Sequence, residues 1–341
     1  MDLPLVLSLG DPSGIGPELI AAAWTRREAD GLPPFFVAGG AGLLTAAARH
    51  CNLDMPVVRI EHPGVAAEAF NEGLPVLPLA GHANAGWRPG EPCRDGAALA
   101  LASLEEACAL ASSGAAAALV TGPVAKHALA EVGFAHPGQT EFLAHACGIA
   151  PHDAVMMLAG PTLRTIPLTV HCALAEVADL LTAELIYRRT AIAARALAND
   201  FGIAKPRIAL AGLNPHAGEG GKFGDEEMRI IAPAIAKLRA EGFDVTGPHP
   251  ADALFAARQR ATYDVAVCMY HDQALIPLKA LDFDAGVNVT LGLPIIRTSA
   301  DHGTAFGIAG KGLADAGATV AAIRMAGDCA VRRSSERQQN S

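Results

Sequence analysis

Aromatic side chains and charge are both sparse in this sequence. Phe, Trp and Tyr supply 5% of its 341 residues and the charged types 18%, against 51% hydrophobic residues drawn mainly from Ala, Leu, Val and Ile. Low charge with abundant apolar side chains excludes disorder across the main body and leaves ample material for a buried core. No window approaches the roughly 18 uninterrupted apolar residues that a membrane-spanning helix needs. The start, MDLPLVLSLGDPSG, has no basic segment before its apolar run, so it reads as a first strand entering a loop and not as a signal peptide. Cysteines number seven, and none forms a CxxC pair. That excludes a disulfide framework and a thiolate zinc ribbon, and the expectation is a reduced, cytoplasmic protein. The net charge of −9 carries no basic stripe, which argues against nucleic acid as a partner. There is no GxGxxG, and the Gly-Lys at 221–222 is followed by Phe223 where a P-loop needs Ser or Thr. ATP chemistry is disfavoured.

Short apolar runs alternate with longer amphipathic ones. Strands are expected at 5–9, 35–38, 117–120, 154–158, 165–170, 207–211 and 265–269, and helices at 17–26, 96–112, 175–199 and 226–241. That alternation predicts βαβ units and an α/β fold with mostly parallel sheets. Antiparallel hairpins are expected around 55–90, where Pro, Gly and Asn are dense. The polar stretch after Val331 reads as a frayed tail. The segments 133–140 and 291–303 read as crossings between two lobes.

Three histidines stand just beyond predicted strand ends: His171, His216 and His271. In a parallel sheet such ends share one edge, where ligands bind. Three neutral imidazoles converging there would hold a divalent metal and leave positions for substrate. The competing reading is three separate hydrogen-bonded loop histidines, and spacing does not choose between them. Asp272 and Asp252 lie near these histidines in sequence, as orienting carboxylates or bases, or as ordinary surface charges. The loop GDPSGIGPE turns from strand to helix, and either cradles an anion with its N–H groups or simply makes a tight turn. Lys126, Lys279 and Arg297 would together capture an acidic substrate, or singly be solvated cations.

The strings GDPSGIGPE, TGPVAKHAL, HPGQTEFLA, GLNPHAGEGGKFGDEE, PADALF, YHDQALIPLK and GVNVTLGLPIIRTSADHGTAFGIAGKGLAD follow one another in this order. Together they resemble the 4-hydroxythreonine-4-phosphate dehydrogenase family of pyridoxal phosphate biosynthesis (the PdxA family), from about residue 5 to about residue 328. The last string also resembles the isocitrate and isopropylmalate dehydrogenases. This resemblance implies a two-lobed α/β/α fold with an active-site cleft between lobes. The first lobe, on the dinucleotide side, is expected over 1–134 plus 300–330. The second, with metal ligands and dimerisation, is expected over 135–299, and a disordered tail over 331–341.

Carried over residue by residue, the resemblance places metal ligands at His171, His216 and His271, with one divalent ion per site (Zn, Mg or Co). Substrate contacts fall on Gln139, Thr140, Lys279, Asn288 and Arg297. Contacts to NAD or NADP fall on His302, Gly303, Thr304 and Asp315. The family's active site lies at a homodimer interface with ligands shared between subunits. Where the family carries a His-Thr pair, this chain reads Gln139-Thr140. Gln keeps a donor and an acceptor but carries no charge.

The implied reaction oxidises 4-phosphooxy-L-threonine to 2-amino-3-oxo-4-phosphooxybutanoate, which decarboxylates to 3-amino-2-oxopropyl phosphate. Asp272 and Lys126 are both candidates for the base, with Asp252 close to the metal. The alternatives are a related dehydrogenase acting on a threonate or erythronate 4-phosphate or a diol, and a metal-dependent hydrolase.

Overall fold

A computed structural model describes residues 3–82 and 87–339, with side chains to Ser335. The chain divides into two compact units. The first comprises the described residues of Met1–Pro151 together with Leu293–Ser335, and the second is built on His152–Gly292.

The first unit holds β1 (Leu5–Ser8), β2 (Phe35–Ala38), β3 (Val57–Arg59), β4 (Leu74–Leu77), β5 (Leu119–Thr121) and β12 (Arg297–Ala300). Their order is β3-β4-β2-β1-β5-β12, with every pairing parallel. Leu5, Val6, Phe35 and Phe36 are almost wholly buried, as expected of strands covered on both faces. The helix Arg94–Ser112 turns Leu99, Ala100, Leu104, Ala107 and Ala111 inward at helical spacing. Its Ser103 accepts from Leu9 N at 2.8 Å and donates to Ala38 O at 2.6 Å, tying the helix to the ends of β1 and β2.

The second unit holds β6 (Val155–Ala159), β7 (Arg164–Thr169), β8 (Ile208–Ala211), β9 (Val245–His249), β10 (Val265–Tyr270) and β11 (Val287–Leu291) in the order β11-β6-β7-β10-β8-β9. Only β6 runs against its neighbours. The helix His271–Asp282 lays Ala274, Leu275 and Leu278 against Ala209, Ala211, Ala266 and Cys268. Small side chains on the strands let the helix approach, and each buried Leu contributes roughly 1.5–3 kcal/mol. That packing fixes the helix start, and hence His271, at the end of β10.

The mostly parallel α/β expectation holds, and four local expectations are corrected. Strands β3 and β4 pair in parallel, not as a hairpin, because the helix Ala66–Ala69 lies between them and provides a crossover. Residues 83–86 of that stretch lie outside the described residues. The long helix expected from 175 begins at Ala183, where the extended Leu181 breaks the chain and Thr182 Oγ1 accepts from Leu185 N. The expected tail is helical as far as Gln339, its last described residue, since the helix Gly317–Gln339 runs into it without a breaker. Arg333 Nη1 holds Pro294 O at 2.8 Å. Finally, residues 135–151 belong to the first unit, where Phe134 and Phe142 pack on Leu104 and Leu129 of that unit.

Candidate active site

In the second unit β7, β10, β8 and β9 are parallel neighbours. His171, His271, His216 and Asp252 follow their respective carboxyl ends, so all four lie along one sheet edge. The structure brings two of the histidines together: the His171 and His271 rings stand 5.9 Å apart. They line a cavity of about 260 Å³ with Thr169, Tyr270 and Asp272. His271 Nδ1 lies 2.7 Å from Asp272 Oδ1. A carboxylate accepts a hydrogen bond from Nδ1–H, so in the neutral ring Nε2 carries the lone pair, the tautomer a metal ligand needs. Asp272 and Lys279 sit seven residues apart on the helix His271–Asp282, which puts them on one helical face. Asn288, on β11 opposite Leu158, has a buried Oδ1 without a hydrogen-bond partner among the described residues.

His216 is set differently. It opens a run of left-handed backbone that includes Ala217, Gly218, Glu219 and Gly220. L-residues avoid this region at about 1–2 kcal/mol each. The buried Glu227 compensates: Oε1 accepts from Asn214 N at 2.8 Å and Oε2 from Asn214 Nδ2 at 3.0 Å. His171 also has positive φ, at 52°. Strain at both histidines is characteristic of a functional loop. Among the described residues, no group of three His, Cys, Asp or Glu assembles within this chain to hold an ion.

The first unit carries the remaining positions. Arg297 opens β12 and is 4% exposed. Its Nη2 donates to Thr121 Oγ1 at 2.7 Å and to Gln139 Oε1 at 3.2 Å. Burial pushes the guanidinium down to about 10, with Glu141 acting the other way. It therefore remains a cation near neutral pH. Thr140 follows Gln139 in the helix Gln139–Ala146, and Lys126 begins the helix Lys126–Ala130.

The two glycine-rich strings of this unit meet. Ile15 N donates to Thr304 O at 2.9 Å, and a Cβ at Gly14 would lie 2.7 Å from that oxygen. Ser13 N and Gly14 N are taken by Asp11. The first loop thus uses these N–H groups internally and serves as a buttress for the 302–310 loop. His302 Nδ1 faces Gly303 O at 3.1 Å, so Nδ1 is the donor. Nε2 is then a buried acceptor without a partner among the described residues. Asp315 Oδ1 accepts from Gly317 N at 2.6 Å, a role at the head of the final helix.

Glu18, 5% exposed, pins the same loop through Gly310 N at 3.1 Å. Burial raises its carboxyl above the ordinary carboxylate range, and the hydrogen bonds from Gly310 and Cys51 only partly offset this. The folded chain keeps this proton after the unfolded chain has lost it, so stability falls as pH rises through that window. Glu18→Gln should remove this component and flatten the pH dependence of Tm upward from the ordinary glutamate range. An unchanged slope in calorimetry would show that Glu18 does not titrate with folding.

Thr121 and Glu227 carry no signal of their own in the sequence, although they lie within TGPVAKHAL and GLNPHAGEGGKFGDEE. Nothing in spacing gives their partners.

A parallel α/β protein with imidazoles along one strand edge and a buried arginine is the class these features define. Residues 32–326 match the family described as pyridoxal phosphate biosynthetic protein PdxA, and the chain belongs to that family. It is 59% identical over 330 residues to a 4-hydroxythreonine-4-phosphate dehydrogenase of Erythrobacter litoralis, covering 97% of each chain. A crystal structure of the enzyme of that name from Klebsiella pneumoniae aligns with TM-score 0.86 and 41% identity over 97% of this chain and 98% of that one. A terephthalate 1,2-cis-dihydrodiol dehydrogenase from Burkholderia xenovorans aligns with TM-score 0.67 and 30% identity over 96% and 98%.

Proposed function

We propose that this chain oxidises 4-phosphooxy-L-threonine with NAD or NADP. The product is 2-amino-3-oxo-4-phosphooxybutanoate, which then loses carbon dioxide to give 3-amino-2-oxopropyl phosphate. The observation that carries the reading is the likeness, along nearly the whole of both chains, to relatives named for this dehydrogenation.

The residues suit the groups the reaction needs. Imidazoles with a carboxylate behind one of them are a donor set for Zn²⁺ or Co²⁺, and Mg²⁺ is accepted if substrate oxygens complete the shell. Bound there, a divalent ion lowers the pKa of a ligated hydroxyl. Two of the imidazoles are close in one chain, and the reading supplies the full set of His171, His216 and His271 from two copies in a homodimer. Asp272 holds the His271 tautomer and Asp252 lies along the same edge. Lys126 is the candidate that accepts the hydroxyl proton. Lys279 in the second unit and Arg297 in the first attract the anionic groups of the substrate, and Asn288, Gln139 and Thr140 are the polar contacts the family resemblance implies.

A nicotinamide dinucleotide, when bound, accepts the hydrogen and two electrons from the carbinol carbon. The orphaned Nε2 of His302 would accept a hydrogen bond from its adenosine half, with Gly303 and Thr304 adjoining and Asp315 further along. Seven free cysteines suit a reducing cytoplasm.

The test is to strip the protein of metal and follow nicotinamide reduction with 4-phosphooxy-L-threonine, adding Zn²⁺, Co²⁺ or Mg²⁺ in turn. Terephthalate dihydrodiol and a threonate 4-phosphate serve as rival substrates. Metal-dependent turnover that prefers the phosphorylated amino acid is the expected outcome. Preference for either rival would reassign the substrate.

A further inference from the structure

The Arg297 guanidinium is held in a way that assigns work to two neighbours. The register of β12 on β5 sets Arg297 opposite Leu119, so its side chain runs along the same sheet face toward Thr121. Nε and Nη2 both donate to Thr121 Oγ1, at 3.2 and 2.7 Å. Nη2 also donates to Gln139 Oε1 at 3.2 Å, while Gln139 Nε2 donates to Gly122 O at 3.1 Å. The amide orientation follows from chemistry: guanidinium only donates and a carbonyl only accepts, so oxygen must face Arg297 and nitrogen Gly122. Gly122 is itself anchored, its N–H donating to Ser8 Oγ at 3.1 Å. Both ends of the Gln139 amide are thereby engaged inside the protein.

We propose that Gln139 and Thr121 are positioning residues that lock the Arg297 fork to receive the substrate's anionic group, each acting through its hydrogen bond to Arg297. The inference rests on the reading that Arg297 binds substrate. It also accounts for the departure from the family's histidine. A neutral imidazole can accept from Arg297 at one nitrogen and donate to Gly122 at the other. A protonated one cannot accept, and it adds a second cation beside a buried one. The glutamine amide offers the same acceptor and donor at every pH.

The experiment measures steady-state kinetics of the metal-loaded enzyme for Thr121→Val, Thr121→Ser, Gln139→Leu, Gln139→His and Arg297→Ala. Thr121→Val and Gln139→Leu should each raise the KM for the phosphorylated substrate by about tenfold, as loss of a hydrogen bond to a charged group does. In both, kcat and the cofactor KM should stay within about twofold. Thr121→Ser, and Gln139→His assayed at about pH 8 where imidazole is neutral, should restore the substrate KM. Should buried Thr121→Val fold poorly, the half-exposed Gln139→Leu carries the test alone. Wild-type KM in both Thr121→Val and Gln139→Leu, with a raised KM in Arg297→Ala, would overturn the clamp and leave the substrate reading standing. An unchanged KM in Arg297→Ala would remove that reading and the clamp with it.

Discussion

His216→Ala is expected to abolish both retention of a divalent metal and turnover. The run of left-handed backbone that starts at His216 contains three residues with a Cβ, each disfavoured by about 1–2 kcal/mol. A chain does not hold such a turn without compensation. Asn214 supplies it by donating from both its backbone and its side chain to Glu227, whose carboxylate lies against Gly218 so closely that a Cβ there would sit 2.6 Å from Oε2. None of these bonds uses the imidazole. The variant should therefore fold with an unchanged circular dichroism spectrum while losing a ligand. Even outer partners of metal ligands cost ten- to a hundredfold when removed, and a ligand itself should cost at least about a hundredfold in affinity. Metal content after dialysis, with activity measured at excess metal, decides the matter. A fully active, metal-free His216→Ala protein would end the three-imidazole reading.

The elements legible in the sequence were those that announce themselves locally. Strand β2 was expected at its observed bounds, and β1, β6, β7, β8 and β10 within a residue or two at each end, because each is a short apolar run between breakers. The placement of the histidines beyond neighbouring strand ends is also legible, since β7, β10 and β8 are adjacent and parallel. The pairing of His171 with His271, and the separate left-handed setting of His216, depend on loop geometry that no period encodes. Thr121 illustrates the same limit. Its partner Arg297 is 176 residues away, and only the β5–β12 register brings the two together. The parallel pairing of β3 with β4 is not legible in the sequence, because a crossover of one short helix leaves almost no periodic signal.

Arg297→Ala should raise the substrate KM by roughly ten- to a hundredfold, the loss of about 1.5–3 kcal/mol from a charged contact. The substitution also empties a buried position and leaves Thr121 Oγ1 and Gln139 Oε1 without their donor, so some stability is lost as well. Arg297→Lys separates the two effects. It keeps a cation but not the planar fork, so a KM between those of wild type and Arg297→Ala indicates that geometry matters beyond charge. A pH profile adds an independent check. Burial lowers the guanidinium toward about 10, which still leaves Arg297 a cation throughout the neutral range. The ratio of the Arg297→Ala KM to the wild-type KM should therefore stay constant from about pH 7 to 9. If instead the advantage of wild type disappears by about pH 9, a group that titrates in that range, and not the Arg297 guanidinium, supplies the charge that meets the substrate.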